Sequence, residues 1–337
     1  MPSRPAPRRP QASAPVTGVR IGATHVGLAC AAASRGPLTA RASASAVLPP
    51  GAVRDGEVID AIAVAQALRQ AVDGRSFGKQ VRIGVGCQKV AVRVLDLPPV
   101  QNEDDLDAAV RMIARERIPT AAENALIDYR ILPERPTPDG QPDNVRRALV
   151  VAARRELVDG QVAAVKAAGL EPVGVDLLAF GLARMVQPSE PTMLLDLDGV
   201  TTLALADPDG CRFVRTIPAG VQSAAEELAR RLDLDVDDAS AGLLGDRSLS
   251  PEQSAEATAV LARTVRAIAT TVRTSVEFHV DQEDGESPQL CVVSGPLAGL
   301  EGVSVLLSEA LDLPVHPAAA LAGGADPVAL GLSVEES

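Results

Sequence analysis

The chain is 337 residues long, 46% hydrophobic and carries a net charge of -12 at neutral pH, with aromatic residues making up only 1% of it. That length accommodates two domains, or one with an insertion. The acidity argues against non-specific nucleic-acid binding, which needs many phosphate-neutralising cations, and the few aromatics (Phe77, Phe180, Phe213, Phe278, Tyr129, no Trp) leave little on which a base could stack. Lysine occurs only as Lys79, Lys89 and Lys166, and no glycine-rich loop ends in Gly-Lys-Ser/Thr, which excludes a Walker-type P-loop. Cys30, Cys87, Cys211 and Cys291 are far apart in apolar, strand-like runs and read as buried free thiols in a reducing cytoplasm rather than as a metal or redox site.

In chain order, the Pro- and Arg-rich residues 1–16 lack the apolar core of a signal peptide and are expected to form a disordered tail. Residues 17–48 alternate like two strands around the turn Gly22-Ala23-Thr24, and Gly51 to Gly56 is a turn. A helix is expected over Glu57 to Val72, with Val58, Ile59, Ile62, Leu68 and Val72 on its apolar face. Val81 to Leu97 alternates again. Asn102 caps a helix from Glu103 to Arg117 that Pro119 stops. Strands follow at Leu126 to Leu132 and Arg147 to Ala153, separated by a Pro/Asp/Gly loop over residues 133–144 that reads as mobile. Then come a helix from Arg155 to Ala168, a short strand at Val173 to Val175 and a helix from Leu177 to Val186. In the second half, strands at Met193 to Ala206 and Cys211 to Ile217 precede a helix from Val221 to Leu232. Ser250, Pro251 and Gln253 open a long helix with a capping box, a strand runs over Gln289 to Val293, and a helix from Leu300 to Leu311 leads to a strand at Val315. No run reaches the roughly 18 apolar residues of a membrane span.

The chemistry concentrates in Met193 to Ala206, MLLDLDGVTTLALA, where an apolar strand delivers Asp196, Asp198 and Gly199 to a turn followed by Thr201 and Thr202. Val19 to Ala31, VRIGATHVGLACA, is a fainter copy in which Arg20 stands where Asp196 stands; His25 lies in its turn. Taken alone, MLLDLDGV resembles the first motif of the haloacid-dehalogenase phosphatases, with Asp196 as nucleophile, Asp198 as acid/base and Mg²⁺ between them. That family requires a helix soon after the motif and a downstream cation, and no lysine follows Lys166. Read with its copy, the hairpin is instead half of an actin-like ATP clamp, in which two turns hold phosphates through backbone N–H groups, aspartates hold hydrated Mg²⁺ and a glycine-rich turn (residues 294–302) holds the adenosine.

The intervening residues carry a longer resemblance. Arg117-Ile118-Pro119 ahead of Asp128-Tyr129, the run from Ala167 to Val173 and Arg215-Thr216-Ile217-Pro218 resemble the type IV pilus assembly protein PilM family, relatives of FtsA, from about Val19 to Leu332. The resemblance implies an α/β, actin-like (ASKHA) two-lobed fold with a small inserted strand-helix-strand-strand domain. The expected boundaries are 17–89 plus 175–188 for the first lobe, 90–174 for the insertion and 189–337 for the second lobe. It also implies a cytoplasmic scaffold at the inner face of the plasma membrane. Its expected partners are other pilus assembly components and the N-terminal tail of a PilN-like membrane protein, held in a groove between first lobe and insertion. Ile118-Pro119 and Leu126 to Leu132 are either groove or core of the insertion.

The departures bear on ATP and Mg²⁺, the cofactors the family implies. The family's first loop resembles Asp-Ile-Gly-Ser-Ser-Ser-Val-Lys, whereas Arg20, Gly22, Ala23 and Thr24 stand here without the acid or the lysine. In the second loop Asp198 replaces a glycine at the point of phosphate approach. The adenosine turn has Ser294 and Gly295, then Pro296 where a glycine is expected; proline removes an N–H. An unpaired Asp198 about 4 Å from a phosphate would repel it by several kcal/mol at an effective dielectric of about 20. Asp196 remains a Mg²⁺ ligand only if metal-ATP binds. Arg20 either contacts phosphate or pairs with Asp196 or Asp198 across the cleft, and the expectation is the pairing, with the lobes held together without nucleotide and the chain binding proteins rather than turning over substrate.

Overall fold

A computed structural model describes residues 16–32, 36–98, 102–119, 124–133, 146–282 and 285–335. The expected N-terminal tail and the loop after Pro133 lie almost wholly outside these residues. The first half of the chain forms β1 (Thr17–Ile21), β2 (His25–Ala31), β3 (Ala40–Val47), the short hairpin β4 (Val53–Arg54) and β5 (Glu57–Val58), α1 (Ala61–Val72) and β6 (Gln80–Val85). There follow β7 (Val90–Leu97), α2 (Glu103–Arg117), β8 (Ala125–Ile131), β9 (Arg146–Arg154), α3 (Arg155–Ala167), β10 (Glu171–Leu177) and α4 (Leu178–Val186). The second half forms β11 (Thr192–Leu197), β12 (Thr201–Asp207), β13 (Gly210–Ile217), α5 (Val221–Leu232), α6 (Val236–Leu244), α7 (Pro251–Gln282) and β14 (Leu290–Ser294). After a 3-10 turn at Pro296–Gly299 come α8 (Val303–Leu311), β15 (Val315–Pro317), α9 (Ala318–Leu321) and α10 (Pro327–Leu332).

Two five-stranded sheets share one plan. The first has the order β10-β6-β1-β2-β3 and the second β13-β12-β11-β14-β15. In each, an antiparallel meander is extended by two parallel strands on the far side of its first strand. The central strands β1 and β11 are buried at every position, the pattern of strands covered on both faces. On the first sheet, α1 and α3 cover one face through Val64, Leu68, Ala164 and Val165. On the second, α7 and α8 cover one face through Val265, Ile268, Val303 and Leu307. Helices α4 and α10 lie between the sheets, where Leu178, Leu182, Val328 and Leu332 share a core with Leu194 and Val292. They cross backbone to backbone: a Cβ on Gly331 would stand 1.7 Å from the carbonyl oxygen of Gly181, so no larger residue fits without separating the helices.

The inserted sheet has the order β7-β9-β8. Helix α2 covers one face through Leu106, Val110 and Ala114, with Ile118 buried in the same core. On the other face Val92 and Leu149 pack with Val214 of the second lobe. The local signals for α2 act as read: Asn102 accepts from the N–H of Asp105, which relieves one orphan donor of the first turn.

Several expected elements change. The alternating stretch before residue 48 is three strands, because the chain turns back after Ala31 and pairs β3 with β2. Helix α1 starts at Ala61, capped by Asp60 through the N–H groups of Ile62 and Ala63; Ile59 and Ile62 are 65% and 71% exposed rather than on its buried face. The stretch from Val81 to Leu97 divides between two sheets. The expected insertion of 90–174 shrinks to its strand-helix-strand-strand unit, since β10 pairs with β6 and α3 belongs to the core of the first lobe. Helices α6, α9 and α10 were not expected. All four cysteines are buried and unbridged, and burial pushes the Cys87 thiol up to about 11. No helix among the described residues is long and apolar enough to cross a membrane.

Candidate functional site

The two long hairpins meet at the crevice between the sheets. Arg20, on β1, is 2% exposed, and its guanidinium reaches across to the second lobe. Its Nη2 donates to both carboxylate oxygens of Asp196 at 3.0 Å and to Asp198 Oδ2 at 2.8 Å. Its Nη1 lies 3.4 Å from Asp326 Oδ2. Asp326 is the N-cap of α10, accepting from the N–H of Ala329 at 2.8 Å, and His25 Nε2 stands 4.0 Å from it. Asp196 also accepts from Ser294 Oγ at 2.7 Å.

Burial opposes the charge on Arg20, but Asp196, Asp198 and Asp326 together hold its pKa above the ordinary value. For Asp196 burial dominates and raises the carboxyl; Arg20 and Ser294 pull it down and Asp198 pushes it up. The direction follows from the composition of the cluster, since one guanidinium serves three carboxylates.

Asp198 is held as firmly by main chain as by Arg20. Its Oδ1 accepts from the N–H of Gly199 at 2.8 Å and from the N–H of Ala23, on the opposite hairpin, at 3.2 Å. Gly22 is required for this approach, because a Cβ there would sit 2.5 Å from Asp198 Oδ2. The hydroxyls of the turns are engaged within the fold. Thr201 Oγ1 donates to the carbonyl of Ala219 at 2.7 Å, and Thr24 Oγ1 is 3.2 Å from His25 Nδ1. Thr202 is buried on β12.

Outside this cluster the crevice opens into a cleft of about 910 Å³ lined by Thr24, Val47, Ala241, Leu244, Pro296 and Leu300. Its charged residues are Arg54, Glu226, Asp237 and Asp246. Burial and the neighbouring Asp235 and Asp238 raise the Asp237 carboxyl. The stretch expected to hold adenosine forms the 3-10 turn at Pro296–Gly299, entered through Gly295 at φ +92°. A second, smaller groove of about 420 Å³ lies between the insertion and the first lobe, with Tyr129, Val151, Val175 and Phe180 on its walls.

Of the candidate loop residues, Arg20, Ala23, Asp196, Asp198, Gly199 and Ser294 are joined by hydrogen bonds at the crevice, and Arg20 pairs with both Asp196 and Asp198 rather than one; Ile118 lies in the core of the insertion. Asp326 was missed. Its only local signal is Asp-Pro, a cap followed by proline at the first helical position, which announces a helix but not a contact 306 residues away. As for Mg²⁺, both oxygens of Asp196 are occupied by Arg20, and the described residues contain no group of three or more His, Cys, Asp or Glu arranged to hold a metal. A metal ion at Asp196 would therefore have to compete with the Arg20 guanidinium for both carboxylate oxygens. The phosphatase reading also fails on topology, because β11 turns directly into antiparallel β12 and not into a helix.

Paired sheets of identical order facing one another across a crevice, with a hairpin from each at its base, define an actin-like, two-lobed α/β protein. Solved structures of that class match along the chain. The ethanolamine utilization protein EutJ from Carboxydothermus hydrogenoformans aligns with a TM-score of 0.57 at 16% identity, over 97% of this chain and 92% of its own. MreB 5 of Spiroplasma citri, bound to AMPPNP, aligns with a TM-score of 0.51 at 12% identity over 95% of both chains. A chain of a PilM-PilN type IV pilus biogenesis complex aligns with a TM-score of 0.77 at 24% identity, over 95% of this chain and 98% of that one. The family model for type IV pilus assembly protein PilM matches residues 18–322. The chain belongs to that family.

Proposed function

We propose that this chain is a scaffold of a type IV pilus assembly machine that holds the N-terminal tail of a PilN-like membrane protein and works without nucleotide turnover. The observation that carries the partner reading is the 420 Å³ groove between insertion and first lobe. In a chain with four Phe, one Tyr and no Trp, the half-buried Tyr129 and Phe180 both line it, and aromatic residues are the usual anchors of a peptide interface. Strands β8 and β10, which flank it, are each the edge of a sheet, so an extended peptide finds backbone partners on either wall. The solved relative with a TM-score of 0.77 is a PilM-PilN complex. Such a chain is cytoplasmic, lies at the inner face of the membrane through its partner, contacts other assembly components and binds no nucleic acid.

Support for a nucleotide-independent mode comes from the Arg20 cluster, which takes the Asp196 oxygens a metal would need, and from the acidic lining of the adenosine cleft. The active ATPase of the same fold is the second reading, favoured by the retained hairpin geometry. Calorimetry of the full chain with a synthetic PilN-like tail, with and without Mg-ATP, separates them. A scaffold binds the tail equally in both conditions, and Asp196→Asn leaves that binding intact. Micromolar Mg-ATP binding that Asp196→Asn weakens would establish the ATPase reading, and failure to bind the tail in either condition would remove the partner reading.

A further inference from the structure

We infer that the Asp198 carboxylate is a built-in anion: the chain forms an anion site between its two hairpins and fills it with its own side chain.

Two tight turns, one from each lobe, point a backbone N–H at the same place. Converging main-chain donors of this kind are a general anion-binding arrangement, because the donors are fixed and carry partial positive charge without any side chain. The donors are Ala23 N on the first hairpin and Gly199 N on the second, and Arg20 Nη2 supplies a full positive charge beside them. Such a constellation would hold one oxyanion group. What it holds is Asp198, with Oδ1 shared by the two amides and Oδ2 on the guanidinium. The seat is shaped to the carboxylate: the Cβ that any residue but glycine would bring at position 22 falls 2.5 Å from Oδ2. Asp198 is buried, so the occupancy is not a surface encounter.

The consequence is a clamp that is closed on itself. An incoming phosphate would have to displace a carboxylate tethered at the site and then lie beside its charge. Removing the side chain has the opposite effect. In Asp198→Gly the two amides and Arg20 still converge, but on an empty position, and the cleft acquires affinity for an oxyanion that the natural chain refuses. This inference does not depend on the identity of the partner protein, whose binding is read separately.

The experiment is titration of the full chain and of Asp198→Gly with inorganic phosphate and pyrophosphate, each with and without Mg²⁺, followed by calorimetry. The expected result is at least tenfold tighter anion binding by Asp198→Gly than by the natural chain. A folded Asp198→Gly that shows no gain overturns the inference, as does a natural chain that already binds phosphate equally well. Should the variant not fold, amide hydrogen exchange on the natural chain decides. The N–H groups of Ala23 and Gly199 should be protected without any ligand, and Mg-ATP should not change them. Exchange at the rate of an open loop, or protection that appears only with Mg-ATP, overturns it. Tail binding in the same preparations keeps the two readings apart: a natural chain that ignores the tail yet shows these protected amides removes the scaffold partner and leaves the self-filled site.

Discussion

Arg20 is surrounded by more acid than it can neutralise, with Asp196, Asp198 and Asp326 all facing it. Removing one side of a buried ion cluster is costly because the other side stays buried and uncompensated. Arg20→Met should therefore lower stability by about 3–5 kcal/mol, read as a shift in the urea midpoint; a change below experimental error would show that the cluster holds nothing. Arg20→Lys should recover only part of the loss, since one ammonium cannot replace both the Nη2 contacts to Asp196 and Asp198 and the Nη1 contact to Asp326. The raised Asp196 carboxyl gives a second expectation. As pH rises past the ordinary Asp value of about 3.9, the unfolded chain releases this proton before the folded one does, so Asp196 withdraws stability from there until its own raised pKa is passed. Asp196→Asn should flatten that part of the pH-stability curve; equal slopes for both proteins would refute the assignment. The pairing of Arg20 was legible because the two hairpins are copies, which puts residue 20 opposite residue 196. That it takes Asp198 and Asp326 as well depends on where turns and a distant helix cap fall in space, and no local pattern encodes that.

Helices α4 and α10 place the two lobes, and they do so by contact of backbones. Gly331→Ala must push α10 away from Gly181, an overpacking that should cost about 1–3 kcal/mol and lower the melting temperature; an unchanged melt would mean the helices are not in contact. By comparison Ser250→Ala should remove about 1 kcal/mol from α7, whose cap is reciprocal: Ser250 Oγ accepts from the N–H of Gln253 and Gln253 Oε1 from the N–H of Ser250. Elements with such caps and a clear apolar period, α2 and α7, were readable from the sequence. Helix α1 was extended too far because Val58 and Ile59 continue its apolar run, although Asp60 is the cap. The short helices α9 and α10 lack the turns needed to show a period, and α10 is buried on all sides, which erases amphipathicity. The assignment of β10 to the insertion failed for another reason. Which sheet a strand joins is settled by pairing with β6, some 90 residues earlier, and not by its own composition.

Across the whole molecule, contacts between the lobes run from the base of the crevice, where Arg20 meets Asp196 and Asp198, to its rim, where Asp55 N donates to Gln222 Oε1. A chain joined in this way should show the same radius of gyration by solution scattering with and without Mg-ATP; compaction on adding it would restore the nucleotide clamp. Tyr129→Ala and Phe180→Ala should each weaken binding of the PilN-like tail at least tenfold, the scale of a buried aromatic anchor, measured where each variant is fully folded because both side chains also pack against hydrophobic cores; unchanged tail affinity in both would remove these anchors. The scarcity of aromatic rings has one more consequence. Tyr129 is the sole tyrosine and tryptophan is absent, so the tyrosine emission of the chain comes from one residue, and that residue borders the groove. The protein thus carries its own optical reporter at the proposed docking position, and a tail without Tyr or Trp can be titrated against it with no label attached.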